Sequence, residues 1–249
     1  MRKFLIFTTT ALMLSAGTAF ASGDKAPHWN YSTGHGGPEN WGKLSTEFAT
    51  CSTGQVQSPI DITKASGERP GIETRYQPTV IDVVNNGHTI QLNYAPGSKL
   101  QSAGKEYQLL QLHFHSSSEH TVQGKSYPLE MHLVHKAADG TLAVVGVMFE
   151  PGAANHELAK IWNHMPVNAG EVVILTDMVD AGKLLPENRD FVGYDGSLTT
   201  PPCSEGVKWH VLTTPLSLSQ EQIARFRAVI QDNNRPIQPL NGRKLSQHK

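Results

Sequence analysis

The run Gln111-Leu112-His113-Phe114-His115 constrains this chain more than any other. In a β-strand, residues i and i+2 share a face. Gln111, His113 and His115 then point one way, and Leu110, Leu112 and Phe114 the other. The run 129–136 behaves alike. Glu130, His132 and Val134 share one face; Met131, Leu133 and His135 share the opposite one. The segment from Ser116 to Pro128 is short enough for the two strands to pair antiparallel. His132 can then meet His113 and His115 on one face of a sheet.

Strand signals recur at 80–84, 89–93, 107–115, 129–136, 142–149, 172–175 and 207–213. Most alternate or are rich in β-branched residues, with Gly, Pro or Asn between them. Asn86-Gly87 is a turn dipeptide between two such runs. Two helices stand out. The stretch 155–165 places Leu158, Ile161, Trp162 and Met165 on one face. The stretch 219–231 opens on a capping box, Ser219 with Gln222, and turns Ile223, Phe226 and Ile230 inward. The pattern predicts a mainly β fold: a single domain built on one large twisted, mostly antiparallel sheet, with a few peripheral short helices. No repeat, low-complexity tract or long linker divides the 249 residues.

Arg2 and Lys3 precede an apolar run over 4–13, and small residues follow to Ala19-Phe20-Ala21. This is a secretory signal pattern, predicted to be removed as 1–21 and to leave a domain over 22–249. The apolar run is too short to span a bilayer, and no later segment approaches a span. Export to the periplasm or the medium puts Cys51 and Cys203, the only cysteines, in an oxidising compartment and predicts their pairing. A net charge of −1 offers no basic field for nucleic acid.

Three neutral imidazoles leave the fourth tetrahedral position of Zn²⁺ open for water, which is how catalytic zinc sites are built. Gln111 and Glu130 each sit two residues before a candidate ligand, on its face, where each could accept a ring N–H and fix the tautomer. Two other readings of these residues stay open. The histidines could be solvated groups on a polar sheet face. H-x-H-x-x-x-E also resembles the first cupin motif, which would make Glu119 a ligand to iron or manganese; Tyr107 and Ser126 stand where cupins place glycines.

The sequence resembles the α-class carbonic anhydrases, of the bacterial exported type, through the whole mature chain. HWNYSTGHGGPENWGKL (28–44), QSPIDI (57–62), NNGHTIQL (85–92), QLHFH (111–115), SEHTV (118–122), EMHLVH (130–135), LAVVGVMFE (142–150), GSLTTPPCSEGVKW (196–209) and NNRPIQPLNGR (233–243) follow in family order. The resemblance implies a sheet of about ten strands and one zinc per chain in a cone-shaped cleft, held by His113, His115 and His132. It implies reversible hydration of CO₂ to bicarbonate by a zinc-bound hydroxide, with ester hydrolysis as a side activity. It assigns Glu119 to a gate pair with Thr199: an ionised Glu119 only accepts hydrogen bonds, so the Thr199 hydroxyl must donate to it and keeps only acceptor capacity towards the hydroxide. It places Val134, Val144, Leu198, Val207 and Trp209 in the CO₂ pocket, His88 as proton shuttle, and Tyr31, Asn86, Gln91 and Thr200 around the connecting waters. Gln91 stands where the family often has Asn.

The family usually has a cis bond at the Pro201–Pro202 pair, and a Cys51–Cys203 bridge would pin the loop carrying Thr199. Ser116 stands where vertebrate members have tryptophan, and the loop to Glu119 is shorter. That shortening opens the cleft or exposes a surface on which two copies could form a homodimer. A second class of function is a recognition domain that has lost zinc; such domains typically lack a ligand histidine, and all three are present here.

Overall fold

In the computed structural model, which describes residues 27–249, the strands Lys105–His115 and Leu129–Lys136 pair antiparallel with His113 opposite His132 and His115 opposite Glu130. The predicted signal segment lies outside the described residues. The pair sits at the centre of a 13-stranded sheet. On one side come Ile90–Asn93 and Asp82–Asn85, both antiparallel. On the other come Leu142–Pro151, antiparallel, then Glu205–Leu212, parallel to it, then Phe191–Ser197, antiparallel.

The strand count exceeds the expected ten or so because several members are very short. Gly67–Glu68, Leu216–Leu218 and Ser246–His248 have two or three residues each. A period of two has no room to show itself in so few positions.

One expectation about the central strand needs correction. Leu110 does not join Leu112 and Phe114 in the core; it is 40% exposed. The register shifts between Leu109 and Gln111, a β-bulge that reverses the alternation. Tyr107 and Leu109 therefore reach the same core as Leu112 and Phe114. Beyond the bulge the predicted faces hold.

The two helices cover the core face. His156–Trp162 is capped by Asn155, whose side chain accepts the Leu158 N–H. Gln220–Val229 carries the predicted capping box on Ser219 and Gln222. Gln222 also ties the helices together, because its side chain exchanges hydrogen bonds with the backbone of Asn155 and its carbonyl accepts the Trp162 indole N–H. Phe114 meets Trp162 edge-on at 4.7 Å, and Phe226 stacks on Trp162 at 5.5 Å. This face is dry. The opposite face carries a smaller apolar cluster and the histidine site.

Cys51 and Cys203 form a disulfide across 152 residues of chain. They pack with Trp41 and Phe48 in a third, small cluster. Closing a loop of that length stabilises by up to about 5 kcal/mol in the chain-entropy model. The Pro201–Pro202 peptide is cis, as the resemblance implies. Among the described residues, no helix is long and apolar enough to cross a membrane.

Candidate metal centre

The rings of His113, His115 and His132 converge. Their centroids lie 4.5 to 5.2 Å apart, and one nitrogen of each lies within 4.8 Å of the others. The opposite nitrogens are all taken. His113 Nδ1 donates to Gln111 Oε1 at 2.8 Å, His115 Nδ1 to the Asn233 carbonyl at 2.8 Å, and His132 Nε2 to Glu130 Oε1 at 2.9 Å. Each partner is an acceptor, so each fixes its ring N–H and leaves the other nitrogen with a lone pair. Burial, and then the charges of its two neighbours, pushes His113 well below the usual histidine value; burial, partly offset by Glu119, lowers His115. His113 and His115 are therefore neutral at neutral pH, the form that ligates.

His115 Nε2 is buried with no hydrogen-bond partner. A buried lone pair without a partner is costly unless something binds it. Three convergent imidazoles with oriented outer partners suit Zn²⁺ in particular. The donor set therefore fits a zinc ion.

A second acidic and histidine group, His120, Glu130 and His132, also comes together, but hydrogen bonds account for it. Glu130 Oε1 accepts from His120 at 2.7 Å as well as from His132, and Oε2 accepts the backbone N–H of Glu119 and of His120. Burial alone would raise the Glu130 pKa. The charges and hydrogen bonds of His120 and His132 outweigh it and hold the carboxyl well below its usual range. His120 Nε2 continues to the Tyr194 hydroxyl at 2.7 Å, and Tyr194 to Ser58 Oγ at 2.9 Å.

Glu119 is buried beside the ligands without joining them. Its Oε1 accepts the Arg235 N–H at 2.9 Å. Its Oε2 lies 3.5 Å from His115 Nε2 and 3.9 Å from His132 Nδ1 and has no hydrogen-bond partner. Thr199 is buried, and no hydrogen bond joins its hydroxyl to Glu119. The loop that carries Thr199 is held by Leu198 N–H on Ser204 O, Cys203 N–H on Thr200 O, and Gln57 Nε2 on Cys203 O.

Val134, Val144, Val207 and Trp209 are buried in one apolar cluster, with Leu198 packed against it. The parallel pairing of Val144 with Trp209 brings two of these strands together. Trp209 meets His132 edge-on at 4.8 Å, so the apolar wall abuts the histidine site.

His88 sits on the turn between two strands. Asn86 Oδ1 shapes that turn by accepting the N–H of His88 and of Thr89. The His88 ring stacks on Trp29 at 3.7 Å, and His28 lies 6.3 Å away. Burial and then His28 lower its pKa. Asn86 Nδ2 reaches Gln91 Oε1 at 3.4 Å, and Gln91 Nε2 donates to Asn93. Tyr31 packs edge-on against Trp29 and Trp41. Thr200 contributes a backbone carbonyl to the loop just described.

Sequence reasoning missed Asn233, His120, Tyr194 and Arg235. None lies on an alternating face with the ligands. No motif in the sequence assigns His120 a role, and nothing local marks a residue 118 positions away as the partner of His115.

A family model for eukaryotic-type carbonic anhydrase matches residues 36–249. A carbonic anhydrase of Neisseria gonorrhoeae is 48% identical over 239 residues, which cover 94% of each chain. One from Nostoc sp. is 45% identical over 240 residues, covering 91% of this chain and 90% of its own. The structure of the α-carbonic anhydrase from Thermovibrio ammonificans, in complex with the inhibitor sulfanilamide, superposes with a TM-score of 0.87 at 48% identity, covering 89% of this chain and 100% of that one. With the sheet, the histidine geometry and these relatives in agreement, the chain belongs to the eukaryotic-type, or α-class, carbonic anhydrase family, enzymes that hydrate CO₂.

Proposed function

We propose that the chain hydrates CO₂ reversibly to bicarbonate and a proton at one zinc ion held by His113, His115 and His132. The convergence of three ring nitrogens within 4.8 Å, each ring oriented from behind by an acceptor, is the observation that carries this reading. A zinc ion held there would lower the pKa of its water to about 7, the behaviour general to carbonic anhydrases, and so would supply a nucleophile at neutral pH.

The remaining work falls to the chain. Val134, Val144, Leu198, Val207 and Trp209 form an apolar wall where an uncharged, weakly polar CO₂ is seated and water is excluded. Glu119 Oε2, an acceptor without a partner, is placed to accept a hydrogen bond from the Thr199 hydroxyl. The Thr199 oxygen is then an acceptor only, and it orients the attacking oxygen. The Thr199 backbone N–H stabilises charge that develops on a CO₂ oxygen. His88 takes the released proton to solvent, a task suited to a group that titrates near neutral pH. Tyr31, Asn86, Gln91 and Thr200 order the path between. The same nucleophile attacks activated esters slowly. The chain is exported after loss of 1–21, a reading that the Cys51–Cys203 disulfide supports.

Elemental analysis with stopped-flow CO₂ hydration tests this. One zinc per chain is expected, with activity lost to a chelator and restored by zinc alone. A metal-free, inactive protein would make the chain a recognition domain, and bound iron or manganese would favour the cupin-type reading.

A further inference from the structure

We propose that Asn233 is a positioning residue that locks the turn bearing His88 to the strand bearing the metal ligands. The inference rests on the reading of His88 as proton relay given above.

Asn233 lies beyond the Gln220–Val229 helix, outside any helix or strand, yet it is only 2% exposed. All its polar atoms are engaged. Its carbonyl accepts the His115 ring N–H at 2.8 Å. Its own N–H donates to the Ser116 carbonyl at 3.0 Å, and its Oδ1 accepts the Ser116 N–H at 2.8 Å. Its Nδ2 donates to the Phe114 carbonyl at 2.9 Å and to the His88 carbonyl at 3.0 Å. One residue therefore grips the chain on both sides of a ligand, the ligand itself, and the backbone of the relay. Thr89, next to His88, adds a second tie to the same strand through Oγ1, which donates to the Phe114 carbonyl at 2.6 Å.

A residue at a loop tip is ordinarily mobile. Here the His88 ring is stacked on Trp29 and its backbone is anchored beneath by a buried carboxamide. Proton relay depends on the spacing of donor and acceptor, and misplacement by about 1 Å costs on the order of 100-fold in such steps. The clasp sets that spacing by making the relay turn and the ligand strand one rigid unit.

Two substitutions separate these roles. Asn233→Asp keeps the shape and Oδ1 but loses both Nδ2 donors. Asn233→Ser removes the carboxamide without burying a charge. Both keep the backbone carbonyl that holds His115. In the zinc enzyme, kcat contains the proton-transfer step and kcat/KM for CO₂ does not. We expect kcat in weak buffer to fall about tenfold and to recover with imidazole, while kcat/KM changes by less than about twofold. Zinc content should be unchanged. His88→Ala combined with Asn233→Ser should be no slower than His88→Ala alone. In the metal-free protein, hydrogen exchange at residues 87–90 should accelerate in both Asn233 variants. In the unsubstituted protein, the Asn233 side-chain protons should exchange as slowly as core amides, a measurement that needs no variant to fold.

An equal fall in kcat and kcat/KM without imidazole rescue would overturn the inference, as would unchanged exchange at 87–90 or fast exchange of the Asn233 side chain. If His88→Ala leaves turnover in weak buffer unchanged, the relay reading itself fails. If His88→Ala is slow and rescued while the Asn233 variants match the parent, only the clasp fails.

Discussion

His132 and His135 lie three residues apart on one strand, both buried, on opposite faces of the sheet. His132 converges with His113 and His115. His135 looks into the dry core, where its Nε2 meets the Tyr76 hydroxyl at 2.8 Å. His210, also on the core side, meets Ser102 Oγ at 2.9 Å. Burial lowers the pKa of His135 to about 4, and burial followed by the charges of Arg69 and His135 lowers that of His210 to about 3. The two sets share residue type, and His132 and His135 share a strand. They differ in what the ring nitrogens face: each core ring meets a hydroxyl, with His210 Nδ1 left alone in the core, whereas the site rings leave lone pairs aimed at one another. Burial of a histidine therefore says little about function, and convergence says a great deal.

Substitution separates the two faces most sharply. His132→Ala should abolish zinc binding and CO₂ hydration altogether, while His135→Gln should keep one zinc per chain and near-parental activity in the surviving fold. Zinc analysis of both proteins checks this, and loss of zinc from His135→Gln would erase the distinction. Stability against pH gives the next effect. The core histidines have folded pKa values below the unfolded value of about 6.5, so protonation favours the unfolded chain. Their contribution is complete above pH 6.5 and is lost as pH falls, towards about 4 for His135 and about 3 for His210. Each removes up to about 1.4 kcal/mol per pH unit in its window. Urea midpoints at pH 7, 5.5 and 4.5 should therefore drop steeply in the parent and less steeply in His135→Gln with His210→Gln; parallel slopes would refute the assignment.

The partners behind the ligands give smaller effects. Glu130→Gln should weaken zinc about 10- to 100-fold, the usual consequence of losing an outer partner, as read by chelator competition. Smallest is Gly146→Ala. Gly146 lies opposite His132 in the adjoining strand, and an added Cβ would sit 3.1 Å from Glu130 Oε1. A few-fold loss of zinc affinity is expected with little loss of stability, and no change would mean that the carboxylate yields freely.

Much of this was legible in the sequence. Periodicity marked the two histidine strands and their shared face, and the caps on Asn155 and Ser219 marked the helices. Gln111 and Glu130 were legible because they sit two residues from a ligand on its own strand. The bulge at Leu109–Gln111 was not, since an extra residue in a strand leaves the apolar pattern intact on either side. Asn233 and Arg235 were not because they reach Phe114, His115 and Glu119 from a distant extended segment whose residues follow no period. Thr199 and Glu119 came from resemblance alone. The geometry buries both but gives Glu119 a backbone N–H as its partner.

The parallel pairing of Leu142–Pro151 with Glu205–Leu212 bears on the order of assembly. The ligand-bearing strands are neighbours in sequence, and closing a short loop sacrifices little chain entropy. The wall bearing Val207 and Trp209 arrives across a long crossover, a non-local contact of the kind that slows folding. The two histidine strands can thus pair within a short stretch of chain, whereas the hydrophobic side of the cleft needs residues made about sixty positions later.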